Sequence, residues 1–289
     1  MTPKALVSAI EVRLGISGKP IQLRDAIESE LLRSGVGVAT AAEVVDQVKD
    51  KVASEILRRK EARDAMGEIA ILHLHGSQNE LVHGSSFVFS TDSHSIRQAK
   101  INRRSVDEIY RSLKGLNFSQ FELFGSRVLN EIGCPTPKVT QHAGDQGIDF
   151  YGDLSVGGLL GFDPGVAHLL HQTRVILVGQ AKHYPNSNIG PSTVRELVGA
   201  LSLSRTFTFS SDNIDLLSEV KLRPFSPVLA LLFSTGDFTK GARNLAAKAG
   251  LIVFSGWQLS VFLADKGIGI VEHNGEKQFD PVKFGEWLS

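Results

Sequence analysis

Hydrophobic spacing along the chain switches from a helical period to a strand period about halfway. Leu6, Ile10 and Leu14 recur at helical spacing over residues 4–14, and Leu23, Ile27, Leu31 and Leu32 do so over 21–32. Val44, Val48, Val52 and Ile56 form one stripe of a longer helix, which Thr40-Ala41-Ala42-Glu43 opens as a capping box. Gly35 and Gly37 separate these last two helices. Residues 69–75 and 86–90 read as short strands joined by 76–84, and 105–116 as a helix or linker. From Ser119 the two periods alternate. Helices are expected at 119–132, 192–204, 239–249 and 256–264, with strands around Val139 and at 148–154, 175–182, 228–234 and 251–254. Such alternation predicts an α/β fold with a mixed sheet covered by helices. A boundary at Lys114–Asn117 divides the chain into a mainly helical domain, 1–115, and an α/β domain, 116–289. The stretch between Leu154 and Val175 is too long for a hairpin and reads as an inserted loop or small helix.

Composition narrows the class without choosing a function. The 289 residues are 42% hydrophobic and 21% charged, as in ordinary globular proteins, and allow two domains. No apolar run is long enough to span a bilayer, and the first residues lack the pattern of a signal peptide. The single cysteine, Cys134, leaves no internal disulfide and fits a reducing compartment, so the cytoplasm is the expected location. Basic and acidic residues balance at 31 each, which withholds the basic footprint of many nucleic-acid proteins. Charge is nevertheless local: Arg97, Lys100, Arg103, Arg104, Arg111 and Lys114 face only Asp107 and Glu108, as a solvated helical face or a phosphate-contacting patch. His73 and His75 share one strand face near His83, yet no acid or cysteine at ligand spacing accompanies them, so ordinary histidines are expected.

The strand at 175–182 carries the chemistry. Side chains alternate, so Ile176, Val178, Gln180 and Lys182 share one face while Val175, Leu177, Gly179 and Ala181 share the other. A glutamine and a lysine at the end of so apolar a strand are costly unless something uses them. Upstream, Gly144-Asp145-Gln146-Gly147-Ile148-Asp149 delivers a carboxylate from a glycine-rich turn, where Asp145 is expected to cap the turn. A phosphodiester needs such groups: a carboxylate and other oxygens to hold a hard divalent cation, and a cation to stabilise the charge that develops on phosphate.

The ordered set Phe121-Glu122, Gly144–Asp149, Gln180-Ala181-Lys182, Val194–Leu201 and Phe233–Thr239 resembles the Mrr-type catalytic domain of the PD-(D/E)xK nucleases, in its Q-x-K variant. The resemblance covers residues 118–271 and implies a restriction-endonuclease-like mixed sheet flanked by helices. It implies a DNA endonuclease acting in restriction or defence against foreign DNA. Mg²⁺ is the implied cofactor, with Mn²⁺ able to substitute. Asp149, Gln180 and Lys182 are the implied catalytic residues. Asp149, the Gln180 amide oxygen and the Ala181 carbonyl are the expected metal ligands. Glu122 is either a further ligand, direct or through water, or a surface helix glutamate. His183 is expected to point away from the Lys182 face. Tyr184 is placed along a DNA groove, and Arg195 and Glu196 at the rim of the site or in a structural ion pair.

Residues 39–58 and the helix before them resemble the ATP-cone, a regulatory nucleotide-binding module. The basic, glycine-containing motif that opens that family is missing before Ile21, so a helical scaffold or dimerisation unit is the preferred reading over a nucleotide ligand. Three functions follow: a metal-dependent DNA endonuclease, a non-catalytic nucleic-acid or partner-binding module, and an effector nuclease governed by a nucleotide. A double-strand break needs two sites on antiparallel strands, so a homo-oligomer, most simply a two-fold dimer, is expected. The Val44–Ile56 stripe is a candidate for its contact.

Overall fold

A computed structural model describes residues 1–140, 147–155, 173–205 and 227–289. The chain divides into two compact units, 1–107 with 261–280, and 108–260 with 281–289. A single boundary near Gly115 would have placed 261–280 in the second unit.

In the first unit, helices α1 (Pro3–Leu14), α2 (Leu23–Arg33) and α3 (Val38–Asp64) pack with a small antiparallel sheet. That sheet comprises β1 (Ile21–Gln22), β2 (Leu72–His75) and β3 (Leu81–Gly84), in the order β1-β3-β2. Leu6, Ile10, Leu23, Ile27, Val45, Val52 and Ile56 share one core. The α3 stripe is therefore spent inside its own unit: Val52 and Ile56 are buried, and Val44 and Val48 pack against the same core. Two local expectations change. The third helix begins at Val38 behind Gly37, not at a Thr40 capping box, because the helical backbone already runs through Thr40. The second strand of the hairpin is 81–84, not 86–90. After Gly84 the N–H groups of Ser85 and Ser86 leave the ladder for the carbonyls of Ile71 and Ile16. Helix α4 (His94–Asn102) completes the run toward α5 (Val106–Lys114).

The second unit is built on a sheet whose described strands run β4-β5-β6-β7-β8: β4 (Lys138–Val139), β5 (Phe150–Ser155), β6 (Arg174–Lys182), β7 (Val228–Ser234) and β8 (Ile252–Phe254). β4, β5 and β6 pair antiparallel, whereas β6, β7 and β8 pair parallel, which makes the sheet mixed. One face packs Ile176, Val178, Ala230 and Leu232 against Val194 and Leu197 of α7 (Pro191–Arg205) and Ala242 and Ala246 of α8 (Lys240–Ala249). The other face takes α6 (Phe118–Ile132), which starts with a capping box between Asn117 and Gln120. There the Phe150 ring lies between Gly125 and Gly179; a Cβ on either glycine would come within 2.3 Å or 2.1 Å of it. Helix α9 (Gly256–Lys266) follows β8. The sequence reading missed hairpin β9 (Ile270–His273) and β10 (Glu276–Phe279), and helix α10 (Pro281–Leu288). Asp145 and most of the 155–174 insertion lie outside the described residues.

Candidate active site

The site is made by the way β5 and β6 part company. In β6 the even-numbered residues turn their backbone groups toward β7: Ile176 donates to the Pro227 carbonyl, and the Lys182 carbonyl accepts from Thr235 at 3.3 Å. The odd-numbered residues turn toward β5, so the Gly179 carbonyl accepts the Asp149 N–H at 2.9 Å. β5 begins only at Phe150, which leaves the Ala181 N–H beyond the ladder. The Asp149 carboxylate takes its place, with Oδ2 accepting from Ala181 at 2.7 Å. A strand N–H that bonds a carboxylate instead of a carbonyl fixes the acid in position and satisfies an obligatory donor. Thr140 secures the same point from the other side: its N–H donates to the Asp149 carbonyl at 3.0 Å, and its hydroxyl to the Ile148 carbonyl at 2.8 Å.

Gln180 lies on the face covered by α7 and is only 4% exposed, yet its Oε1 has no hydrogen-bond partner among the described residues. Leaving such an acceptor bare costs about 1–3 kcal/mol. Gly147 makes room for the amide: it has φ of +70°, and a Cβ there would sit 3.1 Å from Gln180 Nε2. Lys182 is half-buried at the same strand end, and its carbonyl is held by the N–H groups of Tyr184 at 3.1 Å and Thr235. Opposite it in register lies Ser234, fully buried, whose hydroxyl accepts the Gly236 N–H at 3.0 Å. The sequence reading had given Ser234 no role at the site; the β6–β7 register is the signal that places it there.

Asp149, Gln180, Ala181 and Lys182 thus meet at one strand end. Glu122 lies half-buried on α6, the helix that covers the opposite face, one residue after Phe121. His183 points away from Lys182, as expected, with its ring 5.4 Å from Phe118 and 6.0 Å from Phe121. Burial lowers its pKa. Arg195 and Glu196 are exposed on α7. Cys134 is buried, which pushes its thiol up to about 11 and removes it as a nucleophile. His73 and His83 face each other across β2 and β3, 5.9 Å apart, among Phe87 and Phe89. Among the described residues no three His, Cys, Asp or Glu side chains converge to hold a metal.

This arrangement is an α/β domain in which a mixed sheet flanked by helices brings an acid, an amide and a lysine to one strand end. Residues 113–209 match the Mrr_cat family, restriction endonuclease, a span that holds Glu122, Asp149, Gln180 and Lys182. Solved structures similar to the chain include the MspJI restriction endonuclease in complex with a 27-mer oligonucleotide, at 22% identity and a TM-score of 0.36, over 63% of this chain and 36% of that one. The restriction endonuclease FokI is similar at 12% identity and a TM-score of 0.38, over 92% of this chain and 44% of that one. The chain therefore spans less than half the length of either. No curated protein matches it. No described helix is long and apolar enough to cross a membrane.

Proposed function

We propose that this chain is a Mg²⁺-dependent endonuclease that hydrolyses DNA phosphodiester bonds, in restriction of foreign DNA. The observation that carries the reading is the buried Gln180 Oε1, without a partner among the described residues, beside a carboxylate pinned to the same strand and a lysine on the same face. These donors fit a hard cation: the Asp149 carboxylate, the Gln180 amide oxygen and the Ala181 carbonyl, which leaves the strand on the side of Asp149. Glu122 on α6 is the further acid available to such a site. Mn²⁺ suits the same oxygens.

When bound, Mg²⁺ supplies Lewis acidity toward phosphate oxygens and makes water a better nucleophile at neutral pH. The residues do the rest. Asp149 is preorganised by the Ala181 N–H, so little reorganisation accompanies charge development. Lys182 orients the attacking water and places positive charge where the phosphorane-like transition state accumulates negative charge. Gln180 gives an oxygen without a second negative charge, which keeps the site less repulsive toward a phosphate. Two copies related by a two-fold axis place one site on each strand.

Supercoiled plasmid incubated with Mg²⁺, with and without chelator, tests this directly. The wild-type chain is expected to nick or linearise it only with metal, and Lys182→Ala is not. Cleavage that persists in chelator, or in the purified and folded Lys182→Ala variant, overturns the reading.

A further inference from the structure

Two large aromatic side chains face solvent just past the end of β6. Phe118, the first residue of α6, is 67% exposed, and Tyr184, two residues after Lys182, is 42% exposed. The Tyr184 backbone and the Phe118 ring are each held in place. The Tyr184 N–H donates to the Lys182 carbonyl at 3.1 Å, and its own carbonyl accepts from Ser187 at 3.4 Å. Gly236 backs this turn so closely that a Cβ there would come 2.5 Å from the Tyr184 carbonyl oxygen. The Phe118 ring stands edge-on to His183, which lies between Lys182 and Tyr184 in the chain and is braced in turn by Phe121. A scattered exposed aromatic needs no explanation. An exposed ring packed on His183, and a second on the next residue of the chain, both directly beyond the site's lysine, do.

We propose that Phe118 and Tyr184 form an aromatic contact for the bases of duplex DNA beside the scissile phosphate, pressing on the stack where the strand is cut. The inference rests on the nuclease reading above, because the site's continuity with these rings is what selects DNA as their occupant. The chemistry matches at both ends. Lys182 attracts the phosphate, while an aromatic face suits any base, since every base has a π-face. Apolar side chains that press between base steps unstack and bend a duplex. The Tyr184 backbone is held by the Lys182 carbonyl and Gly236, and the Phe118 ring rests on His183, so ordering both on contact costs less. The contact is sequence-tolerant, so it anchors and deforms the duplex at the cut without selecting a site.

Binding is measured in the Lys182→Ala background, which separates it from cleavage, using a labelled mixed-sequence duplex and Ca²⁺. Phe118→Ala and Tyr184→Ala are each expected to weaken binding about tenfold, with unchanged circular dichroism, and Tyr184→Phe to bind like its parent. A duplex carrying 2-aminopurine in place of adenine should brighten with the parent and stay dim with either alanine variant. Alanine variants that bind as tightly as the parent, or a parent that binds no duplex, overturn the aromatic contact. If binding is unchanged while Lys182→Ala still abolishes plasmid cleavage, the contact falls and the nuclease reading stands. If Lys182→Ala cleaves normally, the nuclease reading fails, and the contact built on it fails with it.

Discussion

Gln180 combines a cost to stability with a proposed use as a metal ligand. Its Oε1 is buried and without a partner among the described residues, and an apolar residue of similar size would remove that penalty of about 1–3 kcal/mol. Gln180→Leu is therefore expected to raise the unfolding temperature while abolishing cleavage, a pairing that a packing role would not produce. Gln180→Glu, which keeps an oxygen at the same position, should retain activity or shift the preference between Mg²⁺ and Mn²⁺. Thermal melts beside plasmid cleavage decide it; a leucine variant that cleaves normally at limiting Mg²⁺ removes Gln180 from the ligands. Asp149→Asn and Lys182→Ala should each lower cleavage by at least about 10²-fold without unfolding the chain, as read by cleavage rates and circular dichroism. Much of this site could be read from sequence because alternation alone puts Gln180 and Lys182 on one face. The Asp149–Ala181 hydrogen bond could not be read, since it depends on where β5 begins, two residues later than periodicity suggested.

At the scale of elements, α6 approaches the sheet through a steric lock around Phe150. Gly125 and Gly179 touch opposite sides of that ring, and a methyl on either would overlap it. Gly125→Ala is expected to destabilise the chain by about 1–3 kcal/mol, and Phe150→Leu in the same chain to recover part of the loss. Denaturant titration of the single and double variants measures the coupling, and additive losses would show that the ring does not set the spacing. Neither glycine could be assigned this task from sequence, because their neighbour lies across the sheet. The β9–β10 hairpin had a local signal that went unread: Asn274-Gly275, with φ of +51° and +80°, is a two-residue turn of the kind that twists two strands together. Its strands are short and carry Glu272, His273, Glu276 and Lys277, so the apolar alternation that marks β6 is absent. The opposite error occurred at 86–90, read as a strand, where Phe87 and Phe89 pack on His75 and His83 instead.

For the whole molecule, a formal charge of zero hides a first unit tied together by buried charge. Glu55 is held at about 2, first by its hydrogen bond from Arg58, and also bonds Arg59, which reaches Glu11 on α1. A carboxylate lowered in the folded state stabilises above its ordinary range and loses that contribution as pH falls toward 2. His73 is lowered to about 4 by burial, so its neutral form is the folded one, and stability falls as pH drops from about 6.5 toward that value. Both shifts have the same sign, so acid should loosen the first unit across two successive windows, and Glu55→Gln should remove the lower one. All tryptophans and tyrosines lie in the second unit, so hydrogen exchange resolved by peptide is the suitable measurement. The assembly is the remaining whole-molecule question. The apolar stripe of α3, one candidate for a dimer contact, is used up in the core of its own unit, so any two-fold contact must lie elsewhere. On the proposed reading the need for it is unchanged: one strand-end site would cut one strand, and a second copy would supply the antiparallel partner. Light scattering of the Lys182→Ala chain with and without duplex should therefore show a dimer at least on DNA. A wild-type chain that stays strictly monomeric on DNA and still makes clean double-strand breaks would show that a single site serves both strands in turn.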